Sequence, residues 1–266
     1  MITRLAWTEA HEGPVYVAGE DALYFTTVPR DGRVDIRRLA LGPGGGISTV
    51  RADANMANGM TLDAEGRLVV CEQGGFDRPA AITRMDLASG HVETVVDGWR
   101  GLPLNSPNDV VAASDGALWF TDPSYGHLQG FRPAPRLADR VYRFEGELTA
   151  VAEGFEKPNG LALSPGERVL YVGDSEARHV KAFDVVDGGR LANERLFCEI
   201  ADGYPDGIRV DSAGNVYATA AAGIQVFDPA GALVREIPLP GAVHFTFGGP
   251  GLLVTTDDAI WAVTTG

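Results

Sequence analysis

A polar side chain stands just ahead of a short β-like run at regular intervals along this chain of 266 residues. Five such positions share similar local sequences; they are Asn58, Asn108, Asn159, Asp206 and His244. The steps between them are 50, 51, 47 and 38 residues, and Glu12 lies 46 residues ahead of the first. Repeats of roughly 40 to 50 β-rich residues are typical of propellers, so the spacing predicts one blade for each of these positions, Glu12 included.

Each unit contains the pattern of a β-hairpin. A short apolar run follows the polar residue, then a turn rich in Asp, Ser and Gly, then a run of β-branched and aromatic residues. Glycine adopts positive φ without steric cost, so such turns favour hairpins. Second strands are predicted at 67–71, 117–121, 168–172 and 215–219, and third strands at 81–86, 140–144, 180–184 and 223–227. Fourth strands are weaker, as at 91–96, and no long helical period is evident.

These units predict an all-β fold, a six-bladed β-propeller with four-stranded blades in a single domain over residues 1–266. The last unit, from His244 to Gly266, has room for three strands, predicted at 243–247, 252–256 and 260–263. We expect the N-terminal segment Ile2–Trp7 to supply the fourth, so that both chain ends close one blade. The loop-like segment 130–135 lengthens the third unit and is a candidate lid over one face.

Charge and cysteine content limit the partners and the compartment. With 22 basic and 36 acidic residues the formal net charge is −14, which disfavours nucleic acid and anionic membranes but suits a metal cation. Only Cys71 and Cys198 occur, in different predicted units, so no disulfide framework is expected. No signal-peptide pattern and no apolar stretch of membrane-spanning length is evident, so a cytoplasmic location is expected.

The equivalent polar residues should converge on the propeller axis, because the first strand of each blade lines the central channel. Oxygen-bearing side chains dominate this set, which comprises Glu12, Asn58, Asn108, Asn159, Asp206 and His244. Carboxylate and amide oxygens suit one hard divalent cation, with Ca²⁺ as the first prediction and Zn²⁺, Mn²⁺ or Mg²⁺ as alternatives. The competing interpretation is that each residue forms an ordinary turn. Pro precedes three of them and enforces an extended approach, which argues against that interpretation.

Four motifs in order resemble the senescence-marker protein/gluconolactonase/luciferin-regenerating (SGL) family of six-bladed propellers. They are Glu12-Gly-Pro-Val-Tyr, Leu104-Asn-Ser-Pro-Asn-Asp with Trp119-Phe-Thr-Asp-Pro-Ser-Tyr-Gly, Lys157-Pro-Asn-Gly-Leu and Tyr204-Pro-Asp-Gly-Ile; Val70-Cys-Glu-Gln-Gly and Phe247-Gly-Gly-Pro are further landmarks. The resemblance runs essentially end to end. It implies a divalent metal held by Glu12, Asn108, Asn159 and Asp206, with Asp206 also in proton transfer. It places Asn58 and His244 on the pocket wall, a ranking that the repeat alone does not give.

Two positions depart from the family pattern. Animal members carry Arg two residues before the position of Asn108, where it helps to hold the sugar lactone, whereas this chain has Ser106 in a bacterial Asn-Ser-Pro-Asn-Asp pattern. Related chains often carry Asn or Ser where this chain has His244. Both residues are retained as candidate substrate contacts, and the identity of the lactone stays open.

Further polar side chains are candidate substrate contacts on the same face: Glu72, Asp122, Tyr125 and His127. Asp122 and Tyr125 belong to a family-like motif, although Asp-Pro after a strand is also ordinary turn chemistry. The competing interpretations are a surface carboxylate for Glu72 and a solvated loop residue for His127. Strand alternation predicts that His11 points away from the site.

The resemblance implies a lactonase of the gluconolactonase kind, a carboxylic ester hydrolase in which the metal ion polarises the lactone carbonyl and water attacks it. Asp206 is the predicted general base, and a hydroxide generated by the ion is an equal alternative. Two other functions stay open: a metal-dependent phosphotriesterase-like hydrolase, and a non-catalytic propeller that binds a small molecule, a partner or calcium. The expected partner is a small-molecule lactone, and the chain is expected to be a monomer or weak homo-oligomer.

Overall fold

The repeat units fold into four-stranded antiparallel sheets in the computed structural model, which describes residues 1–249 and 251–264. The first strand, β1 (Ile2–Trp7), belongs to the last sheet. Blade 1 consists of β2 (Val15–Val17), β3 (Ala22–Thr26), β4 (Ile36–Ala40) and β5 (Ile47–Arg51). Blade 2 consists of β6 (Ala57–Leu62), β7 (Leu68–Glu72), β8 (Ala81–Met85) and β9 (Val92–Val96). A small hairpin follows, made of β10 (Gly98–Trp99) and β11 (Leu102–Pro103).

The next three blades repeat this order. Blade 3 consists of β12 (Val110–Ala112), β13 (Leu118–Asp122), β14 (Arg140–Glu145) and β15 (Glu147–Ala152). Blade 4 consists of β16 (Pro158–Leu163), β17 (Val169–Asp174), β18 (His179–Val186) and β19 (Arg190–Glu199). Blade 5 consists of β20 (Ile208–Val210), β21 (Val216–Ala220), β22 (Gly223–Phe227) and β23 (Leu233–Pro238).

Helical structure in the described part of the chain is confined to the short helix α1 (Tyr125–Leu128) and to 3₁₀ turns at Ala18–Glu20 and Asp187–Gly189. Among these described residues, no helix has the length and apolarity needed to cross a membrane.

Blade 6 joins the two ends of the chain. It contains β24 (Ala242–Gly248), β25 (Gly251–Thr256) and β26 (Ala259–Thr264), and β1 pairs antiparallel with β26 as its outer strand. The predicted closure by Ile2–Trp7 is therefore confirmed. Pro250, the last residue of the Phe247 landmark, lies outside the described residues, as do Thr265 and Gly266 at the end of the predicted last unit.

The six innermost strands form a closed ring. Each contacts the innermost strand of the next blade, in the cyclic order β2, β6, β12, β16, β20, β24 and back to β2. This arrangement confirms the predicted six-bladed, all-β propeller with four-stranded blades. It also places the residues that begin each inner strand around one end of a common channel.

Apolar clusters fill each of the six spaces between neighbouring blades. Side chains on second strands alternate between two of these clusters: Leu68 and Val70 pack toward blade 1, whereas Val69 and Cys71 pack toward blade 3. Because both faces are buried, these strands read as continuous apolar runs. Cys71 and Cys198 are buried and unpaired, in agreement with the prediction of no disulfide.

Glycine next to the converging polar residue lets the inner strands approach closely. The Gly59 N–H donates to the Asn108 carbonyl at 2.8 Å, and the Gly160 N–H donates to the Asp206 carbonyl at 3.0 Å. A Cβ at either glycine would collide with the same carbonyl oxygen. These contacts fix the height of one converging residue against the next, so the Asn-Gly repeat sets the geometry of the channel mouth.

The candidate lid over blade 3 is tied to blade 2. Arg132, which is 7% exposed, donates to the Leu104 carbonyl at 2.7 Å and to the Gly75 and Arg78 carbonyls at 3.3 Å each. A buried guanidinium with several carbonyl partners holds its segment firmly. The segment therefore forms a braced wall beside the channel mouth.

Candidate active site at the channel mouth

A cavity of about 300 Å³ opens at the channel mouth and is called the mouth cavity here. Six of the predicted site residues line it: Glu12, Asn58, Asn108, Tyr125, Asn159 and Asp206. The closed ring brings them together from blades 1 to 5, because each stands at or just before an inner strand or, for Tyr125, begins α1. Several other residues line the cavity without having been predicted as site residues from the sequence, among them Gln73, Gln129, Ser175, Glu176 and Tyr204.

Two carboxyl groups face each other in the mouth cavity. Glu12 is 3% exposed, and its carboxyl group lies within hydrogen-bond reach of Asp206. Burial raises the pKa of Glu12 well above its ordinary 4.5, and the charges of Asp206 and Asp109 raise it further. Burial also raises the pKa of Asp206, against the opposing effect of His11 and His244. No Lys or Arg is found among the cavity-lining residues of the described chain, so the pair has no strong cationic partner.

The amide side chains present oxygen atoms beside this pair. Asn159 donates from Nδ2 to Ser175 Oγ at 2.9 Å and to Tyr125 Oη at 3.4 Å, which leaves Oδ1 at the opposite end of the amide free to accept. Asn58 Oδ1 is buried and has no hydrogen-bond partner within the described residues. A buried acceptor without a donor is unfavourable. These oxygens and the two carboxylates fit a hard cation or the hydroxyl groups of a ligand.

Three predicted substrate contacts have structural partners outside the mouth cavity. Asp122 ends β13, and its oxygens accept the Asn105 and Ser106 N–H groups at 2.9 Å each. Ser106 donates from Oγ to the Pro123 carbonyl at 2.6 Å and accepts the Gly126 N–H. Glu72 ends β7 and binds Arg51 Nη1 at 2.6 Å and Asn55 Nδ2 at 2.8 Å. These side chains brace the loops that lead into the inner strands and are absent from the lining of the mouth cavity, so substrate contact by them stays a prediction.

Asp174 repeats this bracing in blade 4. It ends β17 and accepts the Glu156 and Lys157 N–H groups at 2.8 and 2.9 Å. Glu72, Asp122 and Asp174 therefore occupy equivalent places at the ends of second strands. Each lies beside the loop that leads to a converging asparagine, namely Asn58, Asn108 and Asn159. The sequence contains a signal for this equivalence. Each acid ends an apolar run and stands at nearly the same distance after the converging asparagine of its blade.

His127 and His11 lie elsewhere than expected. His127 lines a separate cavity of about 90 Å³ next to Arg132 and Arg136 rather than the mouth cavity. His11 does line the mouth cavity, with Nδ1 at 2.7 Å from Asp257 Oδ1. The prediction from strand alternation fails for His11 because β2 begins only at Val15, after a turn at Gly13 with φ of +58°.

An ion cluster forms the floor of the channel, below the mouth cavity. Asp109 Oδ2 lies 3.1 Å from Arg209 Nη1 and 3.3 Å from His244 Nε2, and Asp109 and His244 are each 1% exposed. Burial alone would raise the pKa of Asp109, but Arg209 and His244 outweigh it and hold that pKa well below its ordinary value. His244 therefore serves this floor cluster and is absent from the residues that line the mouth cavity.

The sequence analysis did not predict the floor cluster of Asp109, Arg209 and His244, although the repeat is irregular at Asp109. Asp109 stands where Gly59, Gly160 and Gly207 follow their converging residues, so it breaks the pattern at one blade. His244 Nδ1 accepts the Phe245 N–H at 2.7 Å, and Nε2 faces Asp109 Oδ2 at 3.3 Å. The pairing of Arg209 with Asp109 could not be predicted from sequence, because the two residues lie 100 positions apart.

The fold and the mouth cavity define a six-bladed β-propeller with an acidic, oxygen-lined site at one end of its channel. The chain belongs to the family described as SMP-30/Gluconolactonase/LRE-like region, which matches residues 10–258. It is 31% identical to the gluconolactonase of Zymomonas mobilis over 242 residues, which cover 83% of this chain and 67% of that enzyme. It is 28% identical to the pentonolactonase of Haloferax volcanii over 283 residues, which cover 100% of this chain and 85% of that protein.

A solved structure of a gluconolactonase from Xanthomonas campestris is similar throughout. Its TM-score is 0.88 at 35% identity, and the alignment covers 98% of this chain and 88% of that one. This similarity agrees with the six-bladed architecture of the chain.

Proposed function

We propose that the mouth cavity binds one divalent metal ion, with Ca²⁺ as the first candidate, and uses it to open a lactone ring. The observation that carries this proposal is the buried Glu12 and Asp206 pair, which lacks a cationic side chain where the floor cluster has one. Family membership and similarity to gluconolactonase and pentonolactonase support lactone hydrolysis. The chain is accordingly a lactonase, and one chain supplies the whole site, so a monomer or a weak homo-oligomer suffices.

Four side chains would hold the ion: Glu12, Asn108, Asn159 and Asp206. They offer carboxylate and amide oxygens only, which favours Ca²⁺ over metals that prefer nitrogen or sulfur ligands. Zn²⁺, Mn²⁺ and Mg²⁺ remain alternatives to be compared by measurement. The unpartnered Asn58 Oδ1 is proposed to accept from a substrate hydroxyl, and Tyr125, which lies beside Asn159, lines the same cavity.

The chemistry is addition of water to the lactone carbonyl. When bound, the ion would supply Lewis-acid polarisation of the carbonyl oxygen. Asp206 accepts the proton of the attacking water as general base. The ring C–O bond then breaks, its oxygen takes that proton from Asp206, and the product is a hydroxy acid.

Two of the relatives are named gluconolactonase and pentonolactonase, so an aldonolactone is the first substrate class to test. Gln73, Gln129 and Tyr125 line the mouth cavity and can donate to or accept from ring hydroxyls. Asn58→Ala should mainly raise KM, because it removes an acceptor near the substrate while the four proposed metal ligands stay.

The test is acid release from gluconolactone, xylonolactone and simple aliphatic lactones, measured before and after chelation. We expect turnover to vanish with the metal, the melting temperature to fall, and both to return with Ca²⁺. Full activity in metal-free protein would contradict the metal site. Hydrolysis of a phosphotriester but of no lactone would instead assign the phosphotriesterase-like alternative.

A further inference from the structure

A second cavity lies beside the mouth cavity between blades 5 and 6 and is called the side cavity here. It measures about 260 Å³, and Tyr204 and Asp206 line both cavities. Most of its other walls are small: Gly203, Ala220, Ala221, Gly241, Ala242 and Val243. The side cavity thus adjoins the site at the proposed general base.

The space exists because blade 5 lacks a side chain that three other blades carry. The second strands of blades 2, 3 and 4 end in the bracing acids Glu72, Asp122 and Asp174. The strand β21 of blade 5 ends in Ala220 at the equivalent place. A methyl group replaces a buried carboxylate there, and the volume that the carboxylate and its partners would fill is left open beside Asp206.

The walls of the side cavity favour an uncharged, apolar occupant. Thr219 is the one hydroxyl side chain besides Tyr204, and its Oγ1 already accepts the Asp206 N–H at 3.2 Å. Asp257 and Asp206 are the other polar walls, but Asp257 Oδ1 already lies 2.7 Å from His11 Nδ1 and Asp206 is the proposed base. A hydroxylated group would therefore compete with existing contacts. Asp257, which His11 holds at 2.7 Å, and Asp206 disfavour an anionic group.

We propose that the side cavity binds an uncharged aliphatic substituent carried by the lactone ring. With the carbonyl directed at Asp206, a ring substituent can extend past Tyr204 between blades 5 and 6. Burial of its methylene groups against the alanine and valine walls stabilises the complex. This inference rests on the proposed lactonase function and deepens it, since it names a substrate feature that the polar mouth cavity alone does not select.

The first experiment measures kcat/KM of the metal-loaded enzyme for γ-lactones with unbranched alkyl substituents of increasing length. Each buried methylene should raise kcat/KM about 4-fold until the side cavity is full. A flat or falling series, with turnover of short or sugar lactones intact, would overturn the side-cavity proposal and leave the lactonase standing. Absence of turnover for every lactone would overturn both.

A matched pair of variants locates the effect. Ala221→Leu fills the side cavity, whereas Ala222→Leu adds the same side chain at the next exposed position, which does not line it. We expect Ala221→Leu to lower the ratio of kcat/KM for the long-chain over the short lactone by about 10-fold or more. Ala222→Leu should leave that ratio unchanged. Equal kcat/KM ratios in both variants and the wild type would show that the alkyl substituent of the lactone binds outside the side cavity.

Discussion

Two adjacent levels of the same channel treat their carboxylates in opposite ways. At the mouth, Glu12 and Asp206 face each other without a cationic side chain, and burial raises the pKa of both. At the floor, Asp109 lies between Arg209 and His244, and its pKa is held well below the ordinary value. The floor supplies its own cation and is structural. The described lining of the mouth cavity contains no Lys or Arg, which is consistent with the proposed metal ion and lactone hydrolysis at this site.

The largest expected effect separates the two regions by function. Asp206→Asn keeps the size and one ligand oxygen of the side chain but removes its charge and its capacity to accept a proton. We expect kcat to fall by about 10² to 10⁴-fold, with metal content measured alongside. An Asp206→Asn enzyme that keeps both its ion and its rate would make Asp206 a wall residue.

The same substitution at the floor should act on stability. Asp109→Asn leaves the partly buried Arg209 and the buried His244 without their carboxylate partner, so the free energy of unfolding should fall by about 3–5 kcal/mol, as for other broken buried pairs. Urea denaturation measures this. Asp115→Asn is the control, because its pair with Arg143 at 2.7 Å is half exposed and should contribute about 0–1 kcal/mol. Equal losses at both positions would remove the distinction between floor and surface.

A third kind of buried carboxylate, held by backbone N–H groups, should have an intermediate effect. Asp122→Asn deprives one of the Asn105 and Ser106 N–H groups of its acceptor, so we expect a loss of about 1–3 kcal/mol in the free energy of unfolding. Burial raises the pKa of Asp122 to about 7 from 3.8. The folded state then binds the proton more tightly, so this group's contribution to stability is present at low pH and lost between those two values.

Thermal unfolding across that pH range tests Asp122. The wild type should lose stability as pH rises toward about 7, and Asp122→Asn should lose less over the same interval. Asp174→Asn provides the matched comparison in blade 4. An unchanged pH profile in Asp122→Asn would assign the titration to another group.

The smallest expected effect concerns the metal-free mouth. Because the pKa of Glu12 is raised, its contribution to the stability of chelated protein is lost as pH rises above 4.5. Glu12→Gln removes the repulsion with Asp206 and should stabilise the chelated protein by about 1 kcal/mol at neutral pH. Destabilisation by Glu12→Gln in chelator would mean that the mouth, like the floor, is already balanced by the protein.

The repeat predicted most of the fold because each blade carries its own local signals. Turn residues and apolar runs gave the hairpins, and the short last unit indicated that Ile2–Trp7 closes the ring. The converging residues followed from the same period. Sequence could not place Glu72 and Asp122 outside the lining of the mouth cavity. Glu72 binds the Arg51 and Asn55 side chains and Asp122 binds two backbone N–H groups, and carboxylates with such partners have the same local sequence as ones that face a ligand. The floor cluster needed the contact between blades 3, 5 and 6, which no local pattern contains.

The pairing of β1 with β26 makes the order of synthesis part of the structure. The segment Ile2–Trp7 is translated before the other five blades, and its partner Ala259–Thr264 only after them. Throughout that interval β1 lacks the backbone hydrogen-bond partner that β26 supplies in the finished blade. Blade 1, which carries Glu12, can therefore close against a complete blade 6 only after Ala259–Thr264 has been synthesised.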